Sequence, residues 1–159
     1  MSISSVKEYL SAWGKESDVL EFDVSSATVA LAAEALGTSE ARIAKSLAFA
    51  KENTCILVVT AGDARIHNRK FKEQFGMKAK MLDVETTYLL TGHPVGGVCP
   101  FALFDESISV YLDESLKRFE TVFPACGSPN SAIELTIDEL STLSKSRAWV
   151  DVCSGWDVL

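Results

Sequence analysis

A chain of 159 residues has the length of one ordinary domain, and 47% hydrophobic against 23% charged residues supplies one sizeable core without help from disulfides or metal. The net charge of −7 argues against indiscriminate adhesion to nucleic acid, and no apolar run approaches the roughly 20 residues of a membrane-spanning helix. The opening MSISSVKEYL lacks the basic and apolar regions of a signal peptide, so the expectation is one cytoplasmic domain over 1–159 with neither membrane nor DNA as a partner.

In chain order, Ile3, Val6, Tyr9, Leu10 and Trp13 fall near one helical stripe that Gly14 stops. DVLEFDV alternates as a strand does, with Leu20, Phe22 and Val24 on one side. SSATVALAAEALG has serines to cap it, an alanine-rich body and Gly37 to end it, the marks of a helix. SLAFA and CILVVTAG, joined by KENT, predict two strands of a hairpin. IHNRKFKEQFG predicts a helix that buries Phe71 and Phe75 and turns Arg69, Lys70 and Lys72 outward. KAKML predicts a short strand, VETTYLL a short helix ending at Gly92, and SISVYLD a strand. TVFPAC and AIEL predict further short strands. Thr136 and Glu139 in TIDEL make a capping box, and WVDVC closes as a strand. Strands and helices are interspersed without strict alternation, which favours a mixed α/β domain whose bent or barrel-like mixed sheet is surrounded by helices.

No pair among Cys55, Cys99, Cys126 and Cys153 has C-x-x-C spacing, so these read as free, buried thiols; Cys99 stands apart because it lies in a glycine-rich run. Phosphate-loop, dinucleotide-binding and nucleophile-elbow motifs are absent, and neither His67 nor His93 has acidic or thiol neighbours at metal-ligand spacing. No metal or cofactor is expected. Charge is unevenly placed. Residues 42–80 carry nine cations and three acids, a net +6, while the rest of the chain carries −13. Such a segment suits either a solvated helix face or a local grip on a polyanion.

Two features resist a purely structural account. Lys45 enters an apolar strand pattern, ARIAKSLAFA, where an ammonium must reach water or meet an anion. TGHPVGGVCPF, residues 91–101, sets Gly96 and Gly97 between Pro94 and Pro100. Successive peptide N–H groups in such a turn can converge on an anion or a carbonyl oxygen, although a plain connection uses the same residues.

Together VGGVCPF, with its G-x-x-x-P segment Gly96–Pro100, the lysine of RIAKSLAF, GDARIHNRKF, VYLDESL and GSPNSAIELT resemble, in order and spacing, the YbaK/EbsC family, also called the prolyl-tRNA synthetase editing or INS domain family. The resemblance covers nearly the whole chain. It implies a free-standing trans-editing deacylase that hydrolyses mischarged aminoacyl-tRNA, with tRNA-Pro as the expected partner and prolyl-tRNA synthetase as a further one. By the same resemblance Lys45, Gly96 and Gly97 would be catalytic. Phe22, Ser46, His93, Val98, Pro100, Phe101 and Ser128 would bind substrate. Arg65, Arg69 and Lys70 are assigned to tRNA phosphates from the charge pattern. Two departures bear on specificity. Ala132 stands where some relatives carry Asp, and Phe22 where some carry Tyr, which favours alanine or a slightly larger apolar residue over serine. The competing reading is a non-catalytic aminoacyl-tRNA or nucleotide binding module associated with a synthetase.

Overall fold

The computed structural model describes residues 2–156. Helix α1 (Ser2–Ser11) buries Val6 and Leu10, four residues apart on one face; Trp13 lies beyond its end and stays 39% exposed. The chain then runs to β1 (Leu20–Glu21), much shorter than the alternation of DVLEFDV predicts. Leu20 and Val24 are exposed, because this segment pairs with a short connection and not with the main sheet: the Phe22 N–H donates to the Asn130 carbonyl (2.8 Å) and the Ser26 N–H to that of Pro129 (2.6 Å). Helix α2 (Val29–Leu36) is capped by the Thr28 hydroxyl, not by the preceding serines, and stops at Gly37 in the left-handed conformation.

The long hairpin β2 (Ile43–Lys51) and β3 (Thr54–Ala61) pairs Ala44 with Ala61 at one end and Lys51 with Thr54 at the other. The first strand starts at Ile43, three residues before SLAFA, so Lys45 lies inside it. Next come β4 (Arg65–Ile66), α3 (Asn68–Phe75) with the His67 ring as its cap, and α4 (Val84–Thr91) with Asp83 as its cap and Gly92 at its end. KAKML is no strand. It makes one bridge, Met81 to Phe49, flanked by hydrogen bonds from Ala50 N–H to the Lys80 carbonyl and from Leu82 N–H to the Ala48 carbonyl.

The second half supplies β5 (Ser109–Asp113), β6 (Thr121–Pro124), β7 (Ser131–Ala132), β8 (Leu135–Thr136), α5 (Ile137–Ser144), β9 (Ala148–Val150) and β10 (Cys153–Ser154). AIEL thus splits: its first residue joins β7, which pairs with β1, and its last joins β8, which pairs with β6. WVDVC splits likewise between β9 and β10, the latter pairing with β4. The capping box of α5 forms as its residues predict. A six-stranded sheet in the order β8-β6-β2-β3-β5-β9 curls into a half-barrel among five α-helices of the described residues. Parallel and antiparallel pairs mix in it, as the interspersed pattern predicts.

Helices α1, α3 and α5 close the main core, each contributing fully buried side chains (Leu10, Phe71 and Leu140), worth about 1.5–3 kcal/mol apiece. Phe49, Phe71, Phe75 and Tyr111 form a chain of rings with centroids 4.7–4.9 Å apart, tilted between the phenylalanines and edge-on at Tyr111. Helix α2 instead forms a second, smaller cluster, in which Ala32 and Ala33 meet Ile43 and Phe123. No helix among the described residues is long and apolar enough to cross a membrane.

Candidate functional site

At the seam between these two clusters lies a cavity of about 290 Å³. Its floor is made of small or buried side chains, Ala32, Ala44, Ala48, Ala132, Ile43 and Phe123, and its rim of the exposed Met81, Val84 and Val95. Lys45, Ser46, Gly96 and Val98 all line it, so four of the residues singled out in the sequence meet here.

Lys45 is held, not loose. Its Nζ donates to the Ala64 carbonyl at 2.7 Å and the Gly62 carbonyl at 3.4 Å, which leaves one of its three N–H bonds unengaged by them. Burial pulls its pKa below the usual lysine value, while the carboxylate of Asp63 works the other way. The turn carrying those carbonyls requires Gly62: a Cβ there would stand 2.0 Å from the Glu40 carbonyl oxygen.

The glycine-rich run is braced on both sides. Gly96 has φ +83 and packs on Ala27, and Gly97 packs on the peptide between Gly127 and Ser128. The N–H of Gly97 donates to the Pro94 carbonyl, and its carbonyl accepts from the Gly127 N–H. Gly97 therefore lies outside the cavity wall with both peptide groups in use. The N–H groups of Gly96 and Val98 have no hydrogen-bond partner among the described residues.

The other sequence-predicted residues are placed elsewhere. Phe22 and Ser128 are not among the cavity's lining residues and are tied to Asn130 through the Phe22 carbonyl and the Ser128 hydroxyl. Phe101 is buried against Tyr9, and Pro100 lines a separate surface pocket. His93 is 1% exposed. Its Nε2 lies 2.7 Å from the Phe101 carbonyl, which can only accept, so Nε2 carries the proton and Nδ1 accepts from the Ser2 hydroxyl at 2.5 Å. Burial holds its pKa below the usual histidine value. Cys99 is fully buried with its thiol pushed up to about 12, which leaves no thiolate at neutral pH. Arg65 and Arg69 are exposed on β4 and α3, while Lys70 is bound to Asp151 and to the Cys153 carbonyl. Groups of three or more metal-ligating side chains are absent among the described residues.

Sequence reasoning missed Ser26, Ala27, Val95 and Phe123 as cavity residues. Ser26 read as a helix cap. Its hydroxyl is instead buried with no partner, as is that of Ser46, and only an orphaned polar atom of this kind, invisible in sequence, would have marked it.

A family model for aminoacyl-tRNA editing domains matches residues 24–143, a span that includes the cavity's walls, the lysine and the glycine loop. The chain belongs to the aminoacyl-tRNA editing domain family. Among its relatives, the uncharacterized protein YwhH of Bacillus subtilis (strain 168) is 56% identical over 158 residues, covering 99% of this chain and all of that one. A crystal structure described as that of a candidate trans-editing enzyme for prolyl tRNA synthetase superposes with a TM-score of 0.86 at 30% identity, covering 97% of this chain and 98% of that one. The hypothetical protein APE2540 superposes with a TM-score of 0.82 at 30% identity over 94% of this chain and 99% of its own. The editing-domain fold thus carries the mixed half-barrel described above.

Proposed function

We propose that this editing domain acts in trans as a deacylase, hydrolysing the ester that joins a wrongly attached small amino acid to tRNA, with tRNA-Pro as the substrate. One observation supports the reading: a single cavity is lined by Lys45 and by Gly96 and Val98, whose peptide N–H groups have no partner among the described residues. Similarity to a candidate trans-editing enzyme for prolyl tRNA synthetase supports the choice of tRNA.

In the reaction, a water oxygen bonds to the ester carbonyl carbon and the acyl–oxygen bond breaks. The ribose oxygen takes up a proton and the free amino acid leaves. Lys45 orients the ribose or phosphate of the terminal nucleotide. The Gly96 and Val98 N–H groups place the carbonyl oxygen or the attacking water, and a neighbouring ribose hydroxyl of the tRNA helps to accept the water's proton. An aminoacyl ester is already activated, so placement and charge stabilisation suffice; one well-aimed oxyanion donor is worth about 10²–10³ in rate. Discrimination follows from the floor. Ala132 presents a methyl group, and the cavity offers an apolar wall to alanine or a slightly larger side chain. A second sieve is physically necessary, because a synthetase pocket separates near-isosteric side chains by only about 10–200-fold.

The test is deacylation of tRNA-Pro charged separately with alanine, cysteine, serine, threonine and proline, by wild type and by Lys45→Ala. The expected result is rapid loss of alanine, sparing of proline and a fall of at least a hundredfold in the variant. Esters that all survive as long as in buffer would refute the deacylase and leave a binding module. Rapid loss of serine with alanine untouched would refute the assigned specificity.

A further inference from the structure

Strand β2 leaves a gap in its pairing at the cavity. Its pairing with β6 stops at Ala44, and the segment after α3 takes over only at Ala48, whose carbonyl accepts from the Leu82 N–H. A strand sends the N–H and C=O of every second residue to the same edge. Ala48 and Ala50 use this edge, and Ala44 faces β6 across it, so the residue between them in register is Ser46. Its N–H and C=O therefore face the cavity where a neighbouring strand would otherwise lie, and neither has a partner among the described residues.

Two residues of the same wall also carry a buried hydroxyl without a partner. Of three buried side-chain polar atoms without a partner among the described residues, two are the hydroxyls of Ser26 and Ser46, both on residues that line this cavity.

We infer that the open edge of β2 at Ser46 reads the main-chain atoms of the aminoacyl group, pairing with it as a neighbouring strand residue would. The inference rests on the deacylase reading and says which part of the substrate this wall recognises. The Ser46 carbonyl accepts an N–H of the substrate's α-amino group, and the Ser46 N–H donates to its carbonyl oxygen, leaving the Gly96 and Val98 N–H groups for the attacking water. Both the neutral amine and the ammonium have a hydrogen to give. Because the contacts are made by peptide groups, they are blind to the amino-acid side chain, which the apolar floor judges separately.

The test uses an analogue that does not turn over, 3′-alanylamino-3′-deoxyadenosine, and its N-acetylated form, titrated calorimetrically into the wild-type protein. The acetyl group leaves the nitrogen a single N–H and adds bulk where the β2 edge stands. N-acetylation is expected to weaken binding at least tenfold. Ser46→Pro, which deletes one edge N–H that the sheet does not use, is expected to weaken the free-amino analogue to a similar degree while the melting temperature stays within a few degrees. Equal affinities for the two analogues, or no measurable binding of either, would overturn the inference, and the analogue pair decides alone if the proline variant fails to fold. Failure of hydrolysis in the charged-tRNA assay would strike the deacylase reading instead, so the two failures are separable.

Discussion

A methyl group added at Gly97 would stand 2.5 Å from the Ser128 nitrogen and 2.7 Å from the Gly127 carbonyl carbon, both backbone atoms that cannot swing aside. Gly97→Ala is therefore expected to cost about 1–3 kcal/mol, the usual range for overpacking, read as a lower urea midpoint with an unchanged m-value. A midpoint equal to wild type would show that the two loops are free to part. The two adjacent glycines thus serve different ends: Gly96 takes a left-handed turn at the cavity wall, while Gly97 permits the close approach of the 127–128 peptide. Sequence shows a pair of glycines and cannot divide these tasks, because the division is set by a loop thirty residues away. Lys45 was legible for a simpler reason. A cation in an apolar strand pattern is costly unless something answers it, and the Ala64 carbonyl does.

Between elements, the His93 ring fastens the loop after α4 to the start of α1, and the Ser2 backbone also closes over Gly127. The ring is neutral, buried and bonded at both nitrogens, and no carboxylate among the described residues bonds to it. Its folded pKa lies below its unfolded one. The stability it confers is whole above the unfolded pKa, about 6.5, and drains away as pH falls from there through the folded value, since the unfolded chain takes up the proton first. Urea midpoints are expected to decline between pH 7 and 5, with a shallower decline for His93→Gln despite its lower midpoint at pH 7. Parallel declines would remove His93 from the account. At this scale the sequence was readable where a helix carries a marked end: Gly37 closes α2, Gly92 closes α4, and the Thr136–Glu139 capping box opens α5. It misled where one run serves two partners. AIEL and WVDVC each turn a corner of the half-barrel and hand successive residues to different strands, and period-two patterning registers exposure but not which neighbour is paired.

For the molecule as a whole, the charge asymmetry read from sequence survives folding only in part. Of the nine cations between Arg42 and Lys80, Arg42 is spent on Glu134 and the Thr121 carbonyl, Lys45 on the 62–64 turn, and Lys70 on Asp151 and the Cys153 carbonyl. Lys51, Arg65, Arg69, Lys72, Lys78 and Lys80 remain exposed, and no ion pair among the described residues engages them. Arg65 also stands near enough to Lys45 to lower its pKa, which sets a free cation close to the cavity. If tRNA phosphates are gripped here, counterion release gives each contact about 0.7–0.9 in the slope of log affinity against log salt. Arg65→Ala and Arg69→Ala are each expected to weaken tRNA binding and flatten that slope by about 1, measured by filter binding from 50 to 200 mM salt. Lys70→Ala should move it less, because that ammonium already has a carboxylate and a carbonyl in the folded chain. Equal slopes for wild type and both arginine variants would move the tRNA path to another face of the molecule. A larger change for Lys70 than for Arg69 would mean that the Asp151 pair opens on binding.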